Sequence, residues 1–294
     1  MTRPTSPTPA PASPPARPAK PPEVEEWVDE VIHRPLARQL VKLLVKTPIT
    51  PNQVTLLSAL VGVLGSLALV RGIEFPAWRL AAGLLLFLSV VLDCCDGQLA
   101  RARGLSSTYG AILDGIADYV VGVALGLAGS WYMVSVHHNA WYWLLGLAGI
   151  ASAAAHSALF DHAKTRYIAR ASGGYSEREE DLGAVRANRA TALREHRYRD
   201  ALLLWLYEQY SKAQHAALAI PPAADPAAFR ARHGGRMRRW TWLGIGTHFA
   251  LGYVLLGLGA VWYAAPTLFF LLSATVLNVF LAALLAEEGR AGAS

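Results

Sequence analysis

The sequence predicts an all-α integral membrane protein with six transmembrane helices, and composition and charge patterning both support this fold class. Of its 294 residues, 53% are apolar and only 16% are charged. Residues 119–160 and 240–286 contain no Asp, Glu, Lys or Arg. Because about 20 apolar residues cross the hydrocarbon core of a bilayer, these runs indicate membrane spans rather than a soluble core. The two cysteines, adjacent at positions 94 and 95, exclude a disulfide framework.

The segment before the first span is predicted to lie at the membrane surface. Residues 1–22 are rich in Pro, Ala, Ser and Thr and lack an apolar run, which predicts a disordered tail without a cleavable signal. Residues 23–46 carry apolar side chains at helical spacing among charged ones, which predicts an amphipathic interfacial helix that ends near Pro48. This helix either lies on the lipid surface or docks on the protein's own cytoplasmic face.

Hydropathy places the six spans in order along the chain. Their predicted bounds are Pro51–Val70, Ala77–Leu99, Ala111–Val136, Trp141–Phe160, Trp240–Tyr263 and Pro266–Ala286. The first four spans form the region 47–160, and the last two form the region 240–286. The second span has only residues 80–92 as an uncharged stretch, so its helix must carry Asp93 and Asp96 into the interface or the membrane.

A polar cytoplasmic insertion, residues 161–239, separates the fourth span from the fifth. Its pattern predicts a helix over Ser176–Gln214, which the prolines at 221, 222 and 226 interrupt. The basic face of this helix is typical of a solvated or lipid-facing surface rather than of a binding site. After the last span the chain closes with a short tail, residues 287–294.

The distribution of Lys and Arg predicts the orientation of the spans. One side receives 25 of these residues, from both termini, the insertion and the connection after the second span, and the other side receives only Arg71 and Arg79. Cytoplasmic segments carry the excess of Lys and Arg in membrane proteins, so we expect both termini and the insertion in the cytoplasm. The same rule explains the formal charge of +6, and no nucleic-acid partner is expected.

Four aspartates stand in one gapped motif that ends the second span and opens the third. The pattern is D-x2-D-G-x2-A-R-x8-G-x3-D-x3-D, and its members are Asp93, Asp96, Gly97, Ala100, Arg101, Gly110, Asp114 and Asp118. The first two aspartates are spaced i, i+3 and the last two i, i+4, so each pair shares one face of its helix. Because the two helices are antiparallel across a short connection, we expect both pairs to meet at one membrane depth.

Four facing carboxylates at that depth need a compensating charge. Hard oxygen ligands favour Mg²⁺ or Mn²⁺ over Zn²⁺, so the motif predicts a magnesium or manganese site. Gly97 and Gly110 leave room for a nucleotide or phosphate beside the backbone. Arg101, one turn beyond Gly97 on the same face, suits a bidentate phosphate contact. A proton or ion relay is the alternative, and such a relay has no need of the two glycines or of the arginine.

With these eight positions the sequence resembles the CDP-alcohol phosphotransferase family, over roughly residues 47–286 without the insertion. The resemblance implies an enzyme of phospholipid synthesis that transfers a substituted phosphate group from a CDP-linked donor to an alcohol and releases CMP. We expect the donor to be CDP-diacylglycerol. Transfer from a soluble CDP-alcohol to diacylglycerol is the alternative within the family, and a non-enzymatic cation-binding membrane protein is the alternative outside it. The resemblance also implies a homodimer. The predicted orientation places the active site at the cytoplasmic side, where CDP-linked donors are supplied.

The resemblance implies a role for each matching residue. Asp93, Asp96 and Asp114 would hold a first metal ion, and Asp93, Asp114 and Asp118 would hold a second. Asp118 would also act as the general base. The residues that would hold the CDP moiety are Gly97, Ala100, Arg101, Ser107 and Gly110.

Two weaker matches lie outside the motif. Residues 50–55 resemble the family's segment that opens the first span, where Asn52 and Thr55 would touch the nucleotide. The same residues also form an ordinary helix start with proline near the first turn. Lys164 and Arg166, after the fourth span, are candidates for the acceptor site, and positive-inside anchoring is the alternative reason for their presence.

Overall fold

A computed structural model describes residues 21–171, 182–215 and 223–292 of the chain. These residues form helices and turns and no strand, which confirms the predicted all-α class. Among the described helices, five are long and apolar enough to cross a membrane, or six if a bent pair counts as one span. Most of the predicted N-terminal tail lies outside the described residues, whereas residues 287–292 continue the last helix.

The N-terminal segment docks on the protein with one side and exposes apolar residues on the other. It contains a 3-10 turn (Pro22–Val24), a short π-helix (Asp29–His33) and the helix α1 (Arg34–Leu44). Its buried side chains include Val24, Glu26, His33 and Ala37. Its exposed apolar side chains include Trp27, Val31, Leu36 and Leu43. The buried side therefore agrees with the docked helix. For the exposed apolar side, a place on the lipid surface stays a prediction.

Three long helices pack together after this segment and carry the aspartate motif. They are α2 (Pro51–Arg71), α3 (Ala77–Ala102) and α4 (Thr108–His137). A capping box on Thr50 begins α2. The connection from α3 to α4 turns through Gly104, whose φ of +66° is left-handed, and Ser107 caps α4 through a hydrogen bond from the Gly110 N–H. The short connection makes α3 and α4 antiparallel.

The fourth span is longer than predicted. Helix α5 covers Tyr142–Ala171, so it continues past the expected end at Phe160 and across the predicted start of the insertion. Residues 161–171 contain neither proline nor glycine, so nothing in the local sequence ends the helix there. The basic residues after Phe160 therefore lie on the same rigid helix as the span itself.

The described part of the insertion contains two helices where one was expected. They are α6 (Leu182–Arg194) and α7 (Tyr198–His215). Residues 176–181 of the expected helix lie outside the described residues. His196, with φ of +57°, turns the chain between α6 and α7. The buried Glu208 carboxylate on α7 pairs with Arg186 and Arg189 on α6, each at 2.8 Å, and holds the hairpin together.

Where the sequence predicts a single helix over Trp240–Tyr263 as the fifth span, the structure has a bent pair of helices. Helix α8 (Pro226–Trp240) continues through a 3-10 turn, Thr241–Leu243, and meets α9 (Ile245–Leu258) at an angle of 44°. Gly244 between them is extended, with ψ of 161°. An extended residue cannot continue the helical hydrogen bonds, so the chain changes direction there.

The last span is also divided. Helix α10 covers Ala265–Ala274 and α11 covers Val276–Gly292, and Thr275 between them has non-helical φ and ψ. The core of the bundle lies among α3, α4, α9 and α10. Its fully buried large side chains include Leu86, Tyr132, Leu256 and Phe270. This core fixes α3 and α4, and through them the aspartates.

Candidate active site

Three carboxylates of the motif meet between α3 and α4. Asp93, Asp96 and Asp114 each place a carboxylate oxygen within 4.8 Å of the other two. The carboxyl groups of Asp93 and Asp114 also lie within hydrogen-bonding reach of each other. We call these three residues the carboxylate group. The antiparallel helices thus bring both sides of the motif to one place.

Asp118 lies one turn further along α4 and borders a different space. It lines a cavity of about 60 Å³, which we call the small cavity, and Asp93 lines the same cavity. Asp118 is not a member of the carboxylate group as the described residues place it. The expected cluster of four carboxylates is therefore divided, with three in the group, one beside the small cavity, and Asp93 shared between them.

The carboxylate group fits a divalent cation. The Oδ1 atom of Asp114 is buried and has no hydrogen-bond partner among the described residues. The Thr55 hydroxyl on α2 donates a hydrogen bond to the Asp96 carboxylate and so orients it. Clustered carboxylate oxygens are the ligands that Mg²⁺ and Mn²⁺ prefer. The residues present are therefore compatible with the expected metal.

The donor-binding candidates on α2 and α4 lie side by side. A Cβ atom placed on Gly110 would be 3.4 Å from the Asn52 Oδ1 atom and 3.3 Å from the Ser107 hydroxyl. Thr55, three residues after Asn52, contacts Asp96. The start of α2 therefore reaches both a glycine and an aspartate of the motif, which an ordinary helix start does not require.

Arg101 stands at the exposed edge of the motif, beside Gly97. A Cβ atom on Gly97 would be 3.4 Å from a terminal nitrogen of the Arg101 guanidinium, so the glycine leaves this face open to the arginine. The Ala100 carbonyl accepts a hydrogen bond from the Leu105 N–H at 2.8 Å and closes the turn after α3. This turn presents the exposed Arg101 side chain at the end of the helix.

The structure separates the two basic candidates for the acceptor site. Arg166 lines a cavity of about 420 Å³ between α5, α8 and α11, together with Arg170 and Arg236. We call it the arginine cavity. Lys164 does not line this cavity, and its ammonium group lies 5.7 Å from the centre of the Phe160 ring. Only one of the two candidates is therefore part of a basic pocket.

The arginine cavity contains buried hydrogen-bond donors that the described residues leave unused. The Nε atom of Arg236 and the Nε1 atom of Trp240 are buried and make no hydrogen bond within the described ranges, although the Arg236 Nε atom lies 3.7 Å from a carboxylate oxygen of Glu287. Three arginines and one carboxylate, that of Glu288, border the cavity. An anion with several acceptor oxygens, such as a phosphate, would satisfy these donors and the excess positive charge.

The sequence does not single out several residues that border the small cavity. These residues include Asp29, Ser58, Ser89 and Gly246. One signal was available, because Asp29 and His33 are four residues apart in a helical segment, and their side chains pair at 2.8 Å. The serines and the glycine carry no such signal, since only the packing of α2, α3 and α9 brings them to the motif.

A comparison with known families agrees with this geometry. The family described as CDP-alcohol phosphatidyltransferase matches residues 48–192. This range contains α2 to α5 and every residue of the aspartate motif. The resemblance that the motif carries is therefore confirmed over this part of the chain, which is just under half of its length. The matched range extends into the insertion and leaves out the last two predicted spans, so it differs from the expected range of 47–286.

Curated relatives share the same part of the chain. The bifunctional IPC transferase and DIPP synthase of Thermococcus kodakarensis is 33% identical over 127 residues, which are 43% of this chain and 27% of the relative. The phosphatidylinositol phosphate synthase of Corynebacterium glutamicum is 37% identical over 106 residues, 36% of this chain and 44% of the relative. The archaetidylinositol phosphate synthase of Pyrococcus horikoshii is 36% identical over 102 residues, 32% of this chain and 50% of the relative. The chain spans half or less of the length of these relatives.

Proposed function

We propose that the protein transfers a phosphatidyl group from CDP-diacylglycerol to the hydroxyl group of an alcohol and releases CMP, in phospholipid synthesis. The observation that carries this proposal is the carboxylate group beside Asp118, within the part of the chain that the family model matches. Carboxylates held this close suit metal ions, and a metal-bound pyrophosphate suits the neighbouring Arg101 and glycines.

The carboxylate group would hold one Mg²⁺ or Mn²⁺ ion, and Asp93, Asp114 and Asp118 would hold a second. When bound, such ions neutralise the pyrophosphate and stabilise the CMP leaving group. The unpartnered Oδ1 atom of Asp114 supports the first site, because a buried acceptor needs a donor or a cation. The hydrogen bond from Thr55 supports it as well, because it holds the Asp96 carboxylate in one orientation.

The residues around the carboxylate group would bind the donor. Asn52, Ser107 and Gly110 would contact the nucleotide, since their atoms already lie close together at one edge of the group. Arg101 would bind the pyrophosphate, and its exposed position beside Gly97 supports this contact. The acyl chains of the donor would stay in the lipid beside the apolar outer faces of the spans.

Asp118 would act as the general base. It would accept the proton of the acceptor hydroxyl while the hydroxyl oxygen attacks the β-phosphorus of the donor. The new phosphodiester bond would form as the bond between this phosphorus and the CMP oxygen breaks. The place of Asp118 beside the small cavity supports this role, because the cavity offers a space for the hydroxyl next to the carboxylate group.

The acceptor in this proposal is a phosphorylated polyol. Two of the relatives are named as synthases of phosphatidylinositol phosphate and archaetidylinositol phosphate. The arginine cavity would bind the acceptor phosphate through Arg166, Arg170 and Arg236. One short stretch of the chain reaches both cavities, because Arg236, Met237 and Trp240 border the arginine cavity and Ile245 and Gly246 border the small cavity. One acceptor would therefore place its phosphate among the arginines and its reacting hydroxyl beside Asp118.

The orientation in this proposal puts both termini, the insertion and the active site in the cytoplasm, where CDP-linked donors are supplied. The distribution of 25 basic residues against 2 supports it. The family resemblance supports a homodimer. Protease treatment of sealed cells tests the orientation, since cleavage between α6 and α7 is expected only after the membrane is opened. Cleavage in intact cells would contradict it.

The test of the function is CMP release by the purified protein in lipid vesicles. CDP-diacylglycerol is the donor, and the acceptors are inositol phosphate, inositol, glycerol phosphate, serine and choline. We expect release with a phosphorylated acceptor in Mg²⁺ or Mn²⁺ and none in chelator. Release only from a soluble CDP-alcohol with diacylglycerol would favour the opposite placement of the lipid. No release from any pair would contradict the proposal.

A further inference from the structure

Glu26 fastens the N-terminal segment to the break between α8 and α9. Its carboxylate accepts hydrogen bonds from the Gly246 N–H at 3.3 Å, the Thr247 N–H at 2.7 Å and the Thr247 hydroxyl at 2.9 Å. The two N–H groups are free donors at the start of α9, where a negative charge also interacts well with the helix dipole. A Cβ atom on Gly244 would collide with this carboxylate, so the glycine permits the contact.

This contact brings Asp29 to the wall of the small cavity. The Asp29 Oδ1 atom accepts a hydrogen bond from His33 Nδ1 at 2.8 Å. His33 is fully buried, and its Nε2 atom pairs with the Tyr253 hydroxyl at 3.3 Å. Because both ring nitrogens are held, His33 fixes the orientation of Asp29. The hydrogen bond to His33 uses one carboxylate oxygen, and the carboxylate has a second one to offer to a ligand.

The polar side chains of the small cavity are hydrogen-bond acceptors, and the rest of its wall is mainly apolar, with Val90, Val121 and Phe249 among its residues. Its carboxylates are those of Asp29, Asp93 and Asp118. The buried hydroxyls of Ser58 and Ser89 donate to carbonyl groups of α2, so their oxygens remain available only as acceptors. The Gly246 N–H, which is a donor at the same wall, is already bound to Glu26. A ligand with several O–H donors complements such a wall.

The size of the small cavity limits what it can hold. Its volume of about 60 Å³ is one-seventh of the 420 Å³ of the arginine cavity. We therefore expect it to receive one part of a larger molecule rather than the whole molecule. Two adjacent hydroxyl groups of a polyol would therefore fill it, with the rest of the acceptor outside.

We propose that Asp29 is an acceptor-binding residue, which accepts a hydrogen bond from a second hydroxyl of a polyol and so directs the neighbouring hydroxyl to Asp118. This inference rests on the transfer reaction and the polyol acceptor proposed above, and it adds a residue outside the motif that holds and orients that polyol. No covalent bond to Asp29 forms or breaks. Asp29 lies outside residues 48–192, so the N-terminal segment supplies a substrate contact that the family match does not contain.

The test uses the full-length protein in vesicles with CDP-diacylglycerol and inositol phosphate. Removal of a hydrogen bond to a charged group corresponds to roughly 10- to 100-fold in affinity. We expect Asp29→Ala to raise KM for the acceptor by that factor and to leave KM for the donor unchanged. Asp29→Asn keeps one acceptor oxygen, so its effect should be smaller. Glu30→Gln, which removes the neighbouring carboxylate, is the matched control and should change neither constant.

Deoxygenated acceptors provide a test that does not depend on any variant. Loss of the hydroxyl next to the attacking one should raise KM on the wild-type protein, and Asp29→Ala should then raise it no further. Equal KM values for the polyol and its deoxy analogue on the wild-type protein would overturn the proposal, even if Asp29→Ala does not fold. For Asp29→Ala, an equal rise in KM for donor and acceptor would also overturn the proposal. So would a lower melting temperature with an unchanged KM for the acceptor. Absence of CMP release by the wild-type protein would instead contradict the proposed function.

Discussion

The carboxylate group and the arginine cavity differ in how their residues come together. The carboxylates belong to two helices that only residues 103–107 separate, and their oxygens lie within 4.8 Å. The arginine cavity collects side chains of α5, α8 and α11, which are far apart in the sequence. The residues of the proposed transfer chemistry thus lie in one short stretch, whereas the proposed choice of acceptor depends on how distant helices pack.

The family match follows the same division. It contains the whole aspartate motif and leaves out α8 and α11. If the division is functional, changes in the motif should stop the reaction with every acceptor. Changes in the arginine cavity should raise KM only for phosphorylated acceptors. The following experiments compare the two regions on this basis.

We expect the largest effect from Asp114→Asn, which removes a ligand charge from the carboxylate group. A metal ion contributes several kcal/mol to such a reaction, so CMP release should fall by about 10³-fold or more. The fall should be equal for inositol phosphate and glycerol phosphate, measured as initial rates of CMP release. Glu74→Gln is the control. Glu74 is an exposed carboxylate in the turn between α2 and α3, at the ends of these helices that lie away from the motif. Full release by Asp114→Asn in chelator would rule out the metal site.

Asp118→Asn should leave donor binding intact and lower kcat by roughly 10²–10⁴, the usual contribution of a positioned base. Donor affinity and single-turnover CMP release, measured on the same preparation, test this expectation. If Asp118 is only a ligand of the second ion, donor affinity should fall, and raised Mn²⁺ should restore part of the rate. An unchanged single-turnover rate would exclude Asp118 as the base.

Arg236→Gln should act on the acceptor and not on the donor. The loss of a charge-assisted hydrogen bond to phosphate should raise KM for inositol phosphate by roughly 10- to 100-fold. KM for unphosphorylated inositol and for the donor should stay the same. Arg238→Gln is the matched control, because Arg238 lies two residues away and does not line the cavity. Equal changes for inositol and inositol phosphate would remove the arginine cavity from the acceptor site.

The smallest effect concerns stability and its dependence on pH. Burial, with a further contribution from the nearby Asp29, raises the pKa of Glu26 from its ordinary 4.5 to about 7. Between these values the folded protein keeps a proton that the unfolded chain releases, so the free energy of unfolding falls as pH rises through this window. Above pH 7 the free energy of unfolding has fallen by about 3 kcal/mol, because one pKa unit corresponds to about 1.36 kcal/mol.

Glu26→Gln removes this titration and keeps an oxygen that can accept the hydrogen bond from Thr247. Its melting temperature in detergent should equal that of the wild type near pH 5 and exceed it by several degrees at pH 8, since 1 kcal/mol corresponds to about 2–4 °C at this size. Glu30→Gln, an exposed carboxyl of the same segment, serves as the control. A constant difference between Glu26→Gln and the wild type at all pH values would contradict the expectation.

The sequence by itself predicted the membrane class, the family resemblance and the meeting of the three aspartates of the carboxylate group. Hydropathy and helical spacing are local properties, so they predict α2, α3 and α4 closely and place Asp93 and Asp96 on one face. The same local rules ended α5 too early, at Phe160, and did not predict the bend at Gly244. Helix ends and breaks depend on caps and contacts from elsewhere in the chain, such as the one that Glu26 supplies to α9.

Only the tertiary structure decided which side chains surround the carboxylates. Glu26 and Thr247 are 221 positions apart, yet their contact brings Asp29 to the small cavity. The Arg236 and Trp240 donors that make no hydrogen bond likewise become visible only when α5, α8 and α11 enclose them. The physical reason is that periodicity shows which face of a helix is apolar, whereas the meeting of polar groups depends on packing angles and burial, which no local pattern records.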